Sequence, residues 1–171
     1  MRLILTDRAL RVAVPDDGKT AYVDLTTRKI ARCVGCFGCW TRTPGRCVIR
    51  DDATRIYPLI ARSDTLLYVS RIRYGGYDTV MKTMLERAIP VQQAFIRVVD
   101  GETHHKQRAV VPKRATIVAY GAETPDELEL FRQLIARNAR NMNFTEHRVL
   151  FVREDEVDDT VKQLIATWER S

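Results

Sequence analysis

The segment "TLLYVSRIRYGGYDTVMKTMLERAI", residues 65–89, contains one complete strand–turn–helix unit. Its first six residues, 65–70, are almost continuously apolar, as in a strand that is buried on both faces. From residue 78 onward the apolar side chains adopt a helical spacing, which predicts a helix over 78–89. The apolar stripe of that helix consists of Val80, Met81, Met84 and Leu85. A buried strand followed by an amphipathic helix is the building unit of α/β folds.

The same alternation continues on both sides of this unit. Further strand-like runs are "TAYVDL" (20–25), "ATIVAY" (115–120) and "HRVLFV" (147–152), with a weaker candidate in "RLIL" (2–5). Further helices are predicted after Asp51 or Asp52, over 124–142 with Thr124 as N-cap, and over 155–170. This order predicts an α/β fold with a mostly parallel sheet and right-handed crossovers, formed by residues 1–171 as a single domain.

Two segments depart from the alternation. The segment "LRVAVPDDGKTAYVDL", residues 10–25, is typical of two strands joined at Asp17–Gly18. The connection before "TAYVDL" is also short for a crossover helix. Residues 89–114 have no helical period, and a connection of this length in a compact domain is usually functional or an interface arm.

All cysteines of the chain lie in "RKIARCVGCFGCWTRTPGRCVIRDD", residues 28–52. They are Cys33, Cys36, Cys39 and Cys47, with the spacing C-x2-C-x2-C-x7-C. Gly35 and Gly38 allow the backbone to approach the sulfurs, and Pro44-Gly45 turns the chain back toward the fourth cysteine. This spacing favours an iron–sulfur centre, and we expect a [4Fe–4S] cluster held by the four thiolates.

Three other interpretations of the cysteines remain open at this stage. A structural zinc site usually takes two cysteine pairs that are separated by a longer loop. Disulfides are typical of oxidising compartments rather than of the cytoplasm. Cysteine also packs well as a small apolar residue, so the four thiols are also compatible with an inert buried loop.

Composition and charge narrow the function classes. The chain has 45% hydrophobic and 29% charged residues, which is typical of an ordinary globular protein. The net charge of +6 comes from lysines and arginines that are spread along the chain, so we expect no nucleic-acid partner. No apolar run is long enough to cross a bilayer, and the early Asp7 argues against a signal peptide, so we expect a cytoplasmic protein without a membrane partner.

Two segments resemble a known family. The cysteine segment, residues 33–52, is similar to that of iron–sulfur flavoproteins within the flavodoxin-like NAD(P)H-dependent FMN reductase family. The segment 70–90 resembles the flavin loop and following helix of that family. The matching residues there are Ser70, Tyr74, Gly75, Gly76, Lys82, Leu85 and Arg87, with Glu86 in place of the usual aspartate. The resemblance covers about residues 20–155.

The resemblance implies a flavodoxin-like three-layer sandwich with a mostly parallel five-stranded sheet. It implies FMN as a cofactor, NAD(P)H as the electron donor and a [4Fe–4S] cluster on the four cysteines. The flavin would lie outside the carboxyl ends of the strands. The implied flavin-binding residues are Arg71, Ile72, Arg73, Tyr74, Gly75, Gly76, Tyr120, Gly121 and Ala122. No acid–base pair is needed for such chemistry, and we expect no catalytic side chain.

The N-terminus departs from the family pattern, because the first strand is not followed by the usual Gly- and Ser/Thr-rich phosphate loop and long helix. The N-terminal strand–helix unit is therefore shortened. Either Arg71 and Arg73 contact the phosphate instead, or the protein is a flavodoxin-like subunit that has lost flavin and acts as a structural or partner-binding protein. We expect a redox partner protein or a small-molecule acceptor, and by analogy a homodimer or homotetramer.

Overall fold

The computed structural model describes residues 1–168. In chain order the strands are β1 (Arg2–Thr6), β2 (Thr20–Asp24), β3 (Thr65–Arg73), β4 (Gly76–Tyr77), β5 (Gln92–Val99), β6 (Glu102–Gln107), β7 (Lys113–Tyr120) and β8 (Phe144–Val152). The helices are α1 (Gly38–Thr41), α2 (Ala53–Arg62), α3 (Thr79–Glu86), α4 (Pro125–Asn141) and α5 (Val157–Trp168). The five strands predicted from the strand-like runs are therefore present, including the weak candidate at the N-terminus.

Five of the strands form one parallel sheet in the order β2-β1-β3-β7-β8. The short β4 adds an antiparallel pairing to the end of β3. The strand order reverses beside β1, because β2 lies on one side of it and β3 on the other. Ligands of open α/β sheets bind at such a switch point, outside the carboxyl ends of the strands. The predicted α/β fold with a mainly parallel five-stranded sheet is confirmed.

Helices cover both faces of the sheet, which explains the nearly continuous apolar character of the strands. Neighbouring residues of β1 point to opposite faces, and both Leu3 and Ile4 are completely buried. Leu3 belongs to the core that packs against α2, α3 and α4. Ile4 belongs to the second core, which packs against α5. The sheet is therefore the middle layer of a three-layer sandwich.

The connection from β1 to β2 differs from the predicted pair of strands joined at Asp17–Gly18. Only the second of these strands forms, and it pairs with β1 in parallel, so the connection must cross over the sheet. Residues 7–19 make this crossover without a helix. Leu10, Val12 and Val14 pack against the core on the α5 side, where a crossover helix would otherwise lie. The N-terminal unit is thus shortened as predicted, but its strand direction was predicted wrongly.

The predicted helices are present with small changes. Met81 and Met84 of α3 are completely buried, but Val80 is 37% exposed and does not belong to the apolar stripe. Thr124 caps α4 as predicted, because its hydroxyl accepts a hydrogen bond from the backbone N–H of Glu127. The last predicted helix, 155–170, begins at Val157, and its residues 169–170 lie outside the described part of the chain.

The non-helical segment 89–114 forms an antiparallel β-hairpin that the sequence analysis did not detect. Strands β5 and β6 pair only with each other, and the hairpin lies outside the main sheet. Its turn is Asp100–Gly101, and both residues have positive φ angles, 50° and 79°. An Asp-Gly pair between β-branched residues is a strong signal for this kind of turn, so the hairpin was detectable in "VVDGET".

No helix within residues 1–168 is both long and apolar enough to cross a membrane.

A buried lysine makes the stability of this fold dependent on pH. The side chain of Lys113, at the start of β7, is 1% exposed, and its Nζ donates to the carbonyl oxygen of Val111 at 2.7 Å. Burial lowers the pKa of Lys113 to about 8. In the unfolded chain a lysine titrates near pH 10.4, so the unfolded state binds more protons between these values and the free energy of unfolding rises with pH.

We therefore expect wild type to gain stability relative to Lys113→Met as the pH rises. The free energy of unfolding of wild type minus that of the variant should increase by about 1–2 kcal/mol from neutral to alkaline pH, after allowance for solvent screening. Urea unfolding at several pH values measures it. The control is Lys106→Met, which removes an exposed lysine and is expected to give a difference that does not change with pH. A pH-independent difference for Lys113→Met would refute the prediction.

Candidate functional site

The cysteine loop, residues 28–52, carries all four thiols on one irregular segment. Phe37 has a φ of 55° and Gly35 a φ of 63°, so the chain bends sharply between the cysteines before it enters α1. A Cβ atom at Gly38 would lie 2.7 Å from Cγ1 of Val48, so glycine is needed there for the loop to close on itself. The loop thus folds back toward its last cysteine, as the Pro-Gly turn predicts.

The four thiols lie on the same loop but do not converge into a metal site in the described part of the chain. Cys33 and Cys36 are exposed, whereas Cys39 and Cys47 are half-buried. Burial raises the pKa of Cys39, and the nearby Cys47, Cys33 and Cys36 raise it further, in that order. Within residues 1–168 no three side chains of histidine, cysteine, aspartate or glutamate have the geometry to hold a metal ion.

A buried ion pair fixes both ends of the cysteine loop. The guanidinium group of Arg87 is 1% exposed and makes two hydrogen bonds to the carboxylate of Asp51, at 2.6 and 2.9 Å. It also donates to the carbonyl oxygens of Ala31 and Ile49, on either side of the cysteines. A further bridge is made by Asp52, whose carboxylate accepts from the backbone N–H of Lys29 at 2.8 Å. The acidic pair after the last cysteine therefore closes the loop.

The same arginine faces the fourth cysteine. Nε of Arg87 is buried and has no hydrogen-bond partner among the residues that the structure describes. Burial lowers the pKa of Arg87, but Asp51 and the nearby thiol of Cys47 outweigh this effect and leave it raised. Arg87 places a positive charge and a buried N–H donor beside Cys47. The four cysteines and Arg87 therefore fit a prosthetic group that several cysteine sulfurs would hold.

Aromatic side chains attach the cysteine loop to the β5–β6 hairpin. Nε1 of Trp40 donates to the carbonyl oxygen of Gln92 at 3.1 Å. The Trp40 ring lies 4.8 Å from the ring of His105 and 5.5 Å from that of Phe37, between centroids. These contacts cover one side of the loop with apolar surface, and this surface would limit the access of water to anything that the thiols hold.

Apart from Arg71, the residues predicted to bind flavin fall into two groups. Ile72, Tyr120, Gly121 and Ala122 line one cavity of about 540 Å³ at the carboxyl ends of β7 and β8. Its volume is within the range of small-molecule sites. A larger concavity, about 680 Å³, lies at the amino ends of the strands, where open α/β sheets do not usually bind their ligands.

The second group of predicted flavin residues forms the turn between β3 and β4. Tyr74, at the tip, is 86% exposed and has a φ of 52°. A Cβ atom at Gly75 would lie 2.7 Å from Cβ of Leu130, so the turn packs closely against α4. Gly76 pairs with Arg73, and the side chain of Arg73 lies 3.7 Å from the carboxylate of Asp78. None of these residues lines the cavity, and their role in binding flavin stays a prediction.

Asp7, which was not predicted as a site residue, lies at the carboxyl end of β1. The carboxylate of Asp7 accepts hydrogen bonds from the hydroxyl of Ser70 at 2.7 Å, the backbone N–H of Arg71 at 2.8 Å and the hydroxyl of Tyr120 at 2.9 Å. Burial raises the pKa of Asp7, although these three hydrogen bonds act to lower it. The three donors come from β3 and β7, so Asp7 connects three neighbouring strand ends.

Arg71 does not point to a free phosphate position. Its guanidinium group makes a 2.6 Å ion pair with Glu154 and lies over the ring of Tyr120, 5.0 Å from the centroid. A Cβ atom at Gly121 would lie 2.8 Å from Nη1 of Arg71, so the glycine leaves room for this arginine. Arg71 therefore has protein partners on two sides.

The described residues suit one part of FMN but not another. The cavity beside Tyr120 has apolar walls from Ile72 and Phe151, which suit a flat ring. At the end of β1 there is no helix that could offer backbone N–H groups to a phosphate, and the carboxylate of Asp7 lies there instead. The ring of FMN fits the described residues, but its phosphate does not fit the usual position.

The sheet order, the two helical layers and the cavity at the carboxyl edge define a flavodoxin-like α/β protein. No family model matches the chain. The chain is similar in sequence to an iron–sulfur flavoprotein from Archaeoglobus fulgidus, with 30% identity over 86 residues, 50% of this chain and 38% of the relative. It is 25% identical over 92 residues to an iron–sulfur flavoprotein from Methanocaldococcus jannaschii, 54% of this chain and 47% of the relative. The matched segments thus span less than half of these relatives.

Solved structures of reductases share the fold over almost the whole chain. An FMN-dependent NADH-azoreductase from Bacillus anthracis in complex with FMN has a TM-score of 0.58 at 8% identity, over 98% of this chain and 96% of that one. An NAD(P)H:quinone oxidoreductase from Methanothermobacter marburgensis has a TM-score of 0.53 at 12% identity, over 99% and 94% of the two chains. The resemblance to iron–sulfur flavoproteins and to the flavodoxin-like fold is confirmed, and at these identities the structural likeness concerns the fold.

The buried ion pair of the cysteine loop gives a testable expectation. Arg87→Met leaves the carboxylate of Asp51 partly buried without its cation, and breaking one partner of a buried pair typically costs about 3–5 kcal/mol. We expect urea unfolding of the reduced protein to show a loss of this size. We also expect limited proteolysis to cut residues 28–52 faster, because the loop ends lose their common anchor.

The matched control is Lys82→Met, which breaks the exposed i,i+4 pair of Lys82 with Glu86 on α3. Exposed pairs contribute about 0–1 kcal/mol. If Arg87→Met were no more destabilising than this control, the ion pair would not be the anchor of the cysteine loop.

Proposed function

We propose that the protein is an NAD(P)H-dependent oxidoreductase or electron-transfer protein of the flavoprotein type, with a [4Fe–4S] cluster on its cysteine loop. The observation that carries the proposal is the group of four thiols on a loop that a buried arginine anchors at both ends. The names of the sequence relatives, which are iron–sulfur flavoproteins, support the same class.

In this proposal Cys33, Cys36, Cys39 and Cys47 hold the cluster, and a bound cluster supplies one-electron transfer. Arg87 is expected to orient the sulfur of Cys47 through its buried Nε–H. Trp40 shields one side of the loop from water. The described geometry lacks converged thiols, so we expect the exposed segment of Cys33 and Cys36 to close around the metal when it binds.

We propose that the cavity beside Tyr120 receives the flavin ring, with NAD(P)H as the electron donor. Fold neighbours that are FMN-dependent and NAD(P)H-dependent reductases support both cofactors. The residues that would contact the ring are Ile72, Tyr120, Gly121 and Ala122. Their part would be to bind and orient the ring, because the phosphate does not fit at the end of β1.

A second candidate is a flavodoxin-like subunit that has lost its flavin and acts as a structural or partner-binding protein. The closed strand ends around Asp7 favour this candidate. It retains the fold of the relatives, and it predicts a colourless protein that folds without any cofactor.

Purification without oxygen tests the first candidate directly. We expect about four irons and four sulfides per chain and a broad visible absorption, as a [4Fe–4S] cluster requires. Cys36→Ser and Cys47→Ser are expected to lose iron and absorption. The control Val34→Ser changes an exposed residue of the same loop and is expected to keep both, because Val34 has no metal-binding atom.

The alternatives give different results in the same preparation. Stoichiometric zinc without iron would identify a structural zinc site, and a metal-free, colourless protein would reject the cluster. Flavin content, together with NADH and NADPH oxidation, tests the proposed electron donor and the FMN. A flavin-free protein that does not oxidise either nucleotide would favour the second candidate.

We also propose that the protein is a homo-oligomer that assembles through the β5–β6 hairpin. This hairpin exposes Phe95, Ile96 and Val98 by 69%, 61% and 74%, an unusual density of apolar side chains on one strand. Light scattering is expected to show a dimer or tetramer for the wild type. The double variant Phe95→Asp/Val98→Asp is expected to be monomeric, because burying a charge in an apolar interface is unfavourable.

The control is Leu130→Asp, which alters an exposed apolar residue of α4 and is expected to leave the assembly intact. A monomeric wild type would refute the proposal.

A further inference from the structure

The carboxyl end of β1 is the place where this fold offers an anion site. β1 lies at the switch in strand order, between β2 and β3. Ligands of open α/β sheets, including phosphates, bind outside the strand ends at this point. Here the chain places its own carboxylate at the same point, on Asp7, the residue that directly follows β1.

Three hydrogen-bond donors converge on this carboxylate from the neighbouring strands. The hydroxyl of Ser70 and the backbone N–H of Arg71 both donate to Oδ2, at 2.7 and 2.8 Å, and the hydroxyl of Tyr120 donates to Oδ1 at 2.9 Å. Ser70 is completely buried and Tyr120 is 4% exposed. Water therefore has little access to these side chains, and they depend on acceptors within the site. Asp7 is the nearer acceptor for the Ser70 hydroxyl, whose alternative is the carbonyl oxygen of Arg71 at 3.1 Å.

Positive charge surrounds the same point. The guanidinium groups of Arg8 and Arg71 lie over the ring of Tyr120, 5.5 and 5.0 Å from its centroid. Both arginines also reach Glu154, Arg71 at 2.6 Å and Arg8 at 3.9 Å. Hydroxyl and backbone N–H donors together with arginine are the usual partners of a bound phosphate.

We propose that Asp7 is a built-in occupant of the phosphate subsite of this fold, so that the wild-type chain does not use the phosphate group of a flavin for binding. The flavin part of this inference rests on the proposed function, whereas the anion subsite rests on the hydrogen bonds alone. Two anions cannot share three donors without strong repulsion, so the carboxylate excludes a phosphate.

An Asp7 carboxylate in the phosphate subsite would determine which class of ligand the neighbouring cavity accepts. The cavity beside Tyr120 would bind a flavin through its ring, and unphosphorylated riboflavin would bind wild type as tightly as FMN. Removing the carboxylate would leave the donors of Ser70, Arg71 and Tyr120 free for an external phosphate. The Asp7→Ala variant would then prefer FMN over riboflavin by at least about tenfold, because hydrogen bonds to charged groups are strong.

Thermal unfolding with inorganic phosphate tests the subsite without any flavin. We expect Asp7→Ala to unfold roughly 5–10 °C below wild type, since buried donors lose their acceptor. Phosphate is expected to restore several degrees of this loss, compared with chloride at the same ionic strength. Because phosphate is excluded from protein surfaces and stabilises any folded protein to some extent, the wild type is expected to gain only as much from it as Asp64→Ala does. Fluorescence titration with FMN and with riboflavin then measures the preference in both proteins.

The control variant is Asp64→Ala, which removes a carboxylate paired with the N-terminal amine at the opposite edge of the sheet. It is expected to be destabilised without specific rescue by phosphate. If Asp7→Ala does not fold, Asp7→Ser keeps a short acceptor and takes its place. Specific stabilisation of wild type by phosphate, or rescue of the Asp7 variant no greater than that of Asp64→Ala, overturns the inference.

The flavin titration separates this inference from the proposed function. If neither flavin binds to wild type or to the Asp7 variant, the flavin part of the proposed function fails, and phosphate rescue alone decides on the subsite. If wild type binds FMN at least about tenfold more tightly than riboflavin, the flavin proposal stands and the inference about Asp7 fails.

Discussion

The ion pair between Arg87 and Asp51 is the interaction on which the cysteine loop depends. One buried guanidinium group holds the carboxylate and the backbone on both sides of the four cysteines. Ordering the loop costs about 1–2 kcal/mol of conformational entropy for each backbone residue that is fixed, and the contacts of Arg87 offset part of this cost. Because Arg87 directly follows α3, the loop is tied to the rigid layer of helices.

The cysteine loop and the β5–β6 hairpin support each other. The hairpin has no contact through backbone pairing with the main sheet, and an isolated two-stranded hairpin is only marginally stable in water. Trp40 contacts it through the carbonyl oxygen of Gln92 and the ring of His105. On its other side, His104 is buried and its ring nitrogens lie 2.9 Å from Asn141 of α4 and 3.0 Å from Glu102. The hairpin therefore connects the cysteine loop to α4.

Much of the fold was predictable because buried parallel strands and capped helices have strong local signals. The continuous apolar runs at 65–70 and 115–120 indicated the strands, and Thr124-Pro125 indicated the start of α4. The direction of β2 was not predictable in this way. An Asp-Gly pair favours a hairpin locally, but β2 is held by its pairing with β1, and pairing between distant segments has no local signal.

The candidate site also contains residues with a local sequence signal and residues without one. The four cysteines were visible from their spacing alone, since the ligand type and the spacing carry the chemistry. Asp7 was not recognised, because its three partners lie 63 to 113 residues away along the chain. Likewise, Arg87 matched the family pattern, but its contacts with Asp51 and Ala31 depend on the folded loop. A single sequence does not show the role of a residue when that role depends on contacts between distant segments of the chain.

The crossover without a helix explains why an aspartate follows β1. A crossover helix would present free backbone N–H groups and the positive end of its dipole at the strand ends, which favours a bound anion. The extended crossover of residues 7–19 presents neither. The donors of Ser70, Arg71 and Tyr120 remain, and each buried donor without an acceptor would cost about 1–3 kcal/mol. Asp7 satisfies all three from within the chain, so the strand ends are stable whether or not a ligand is present.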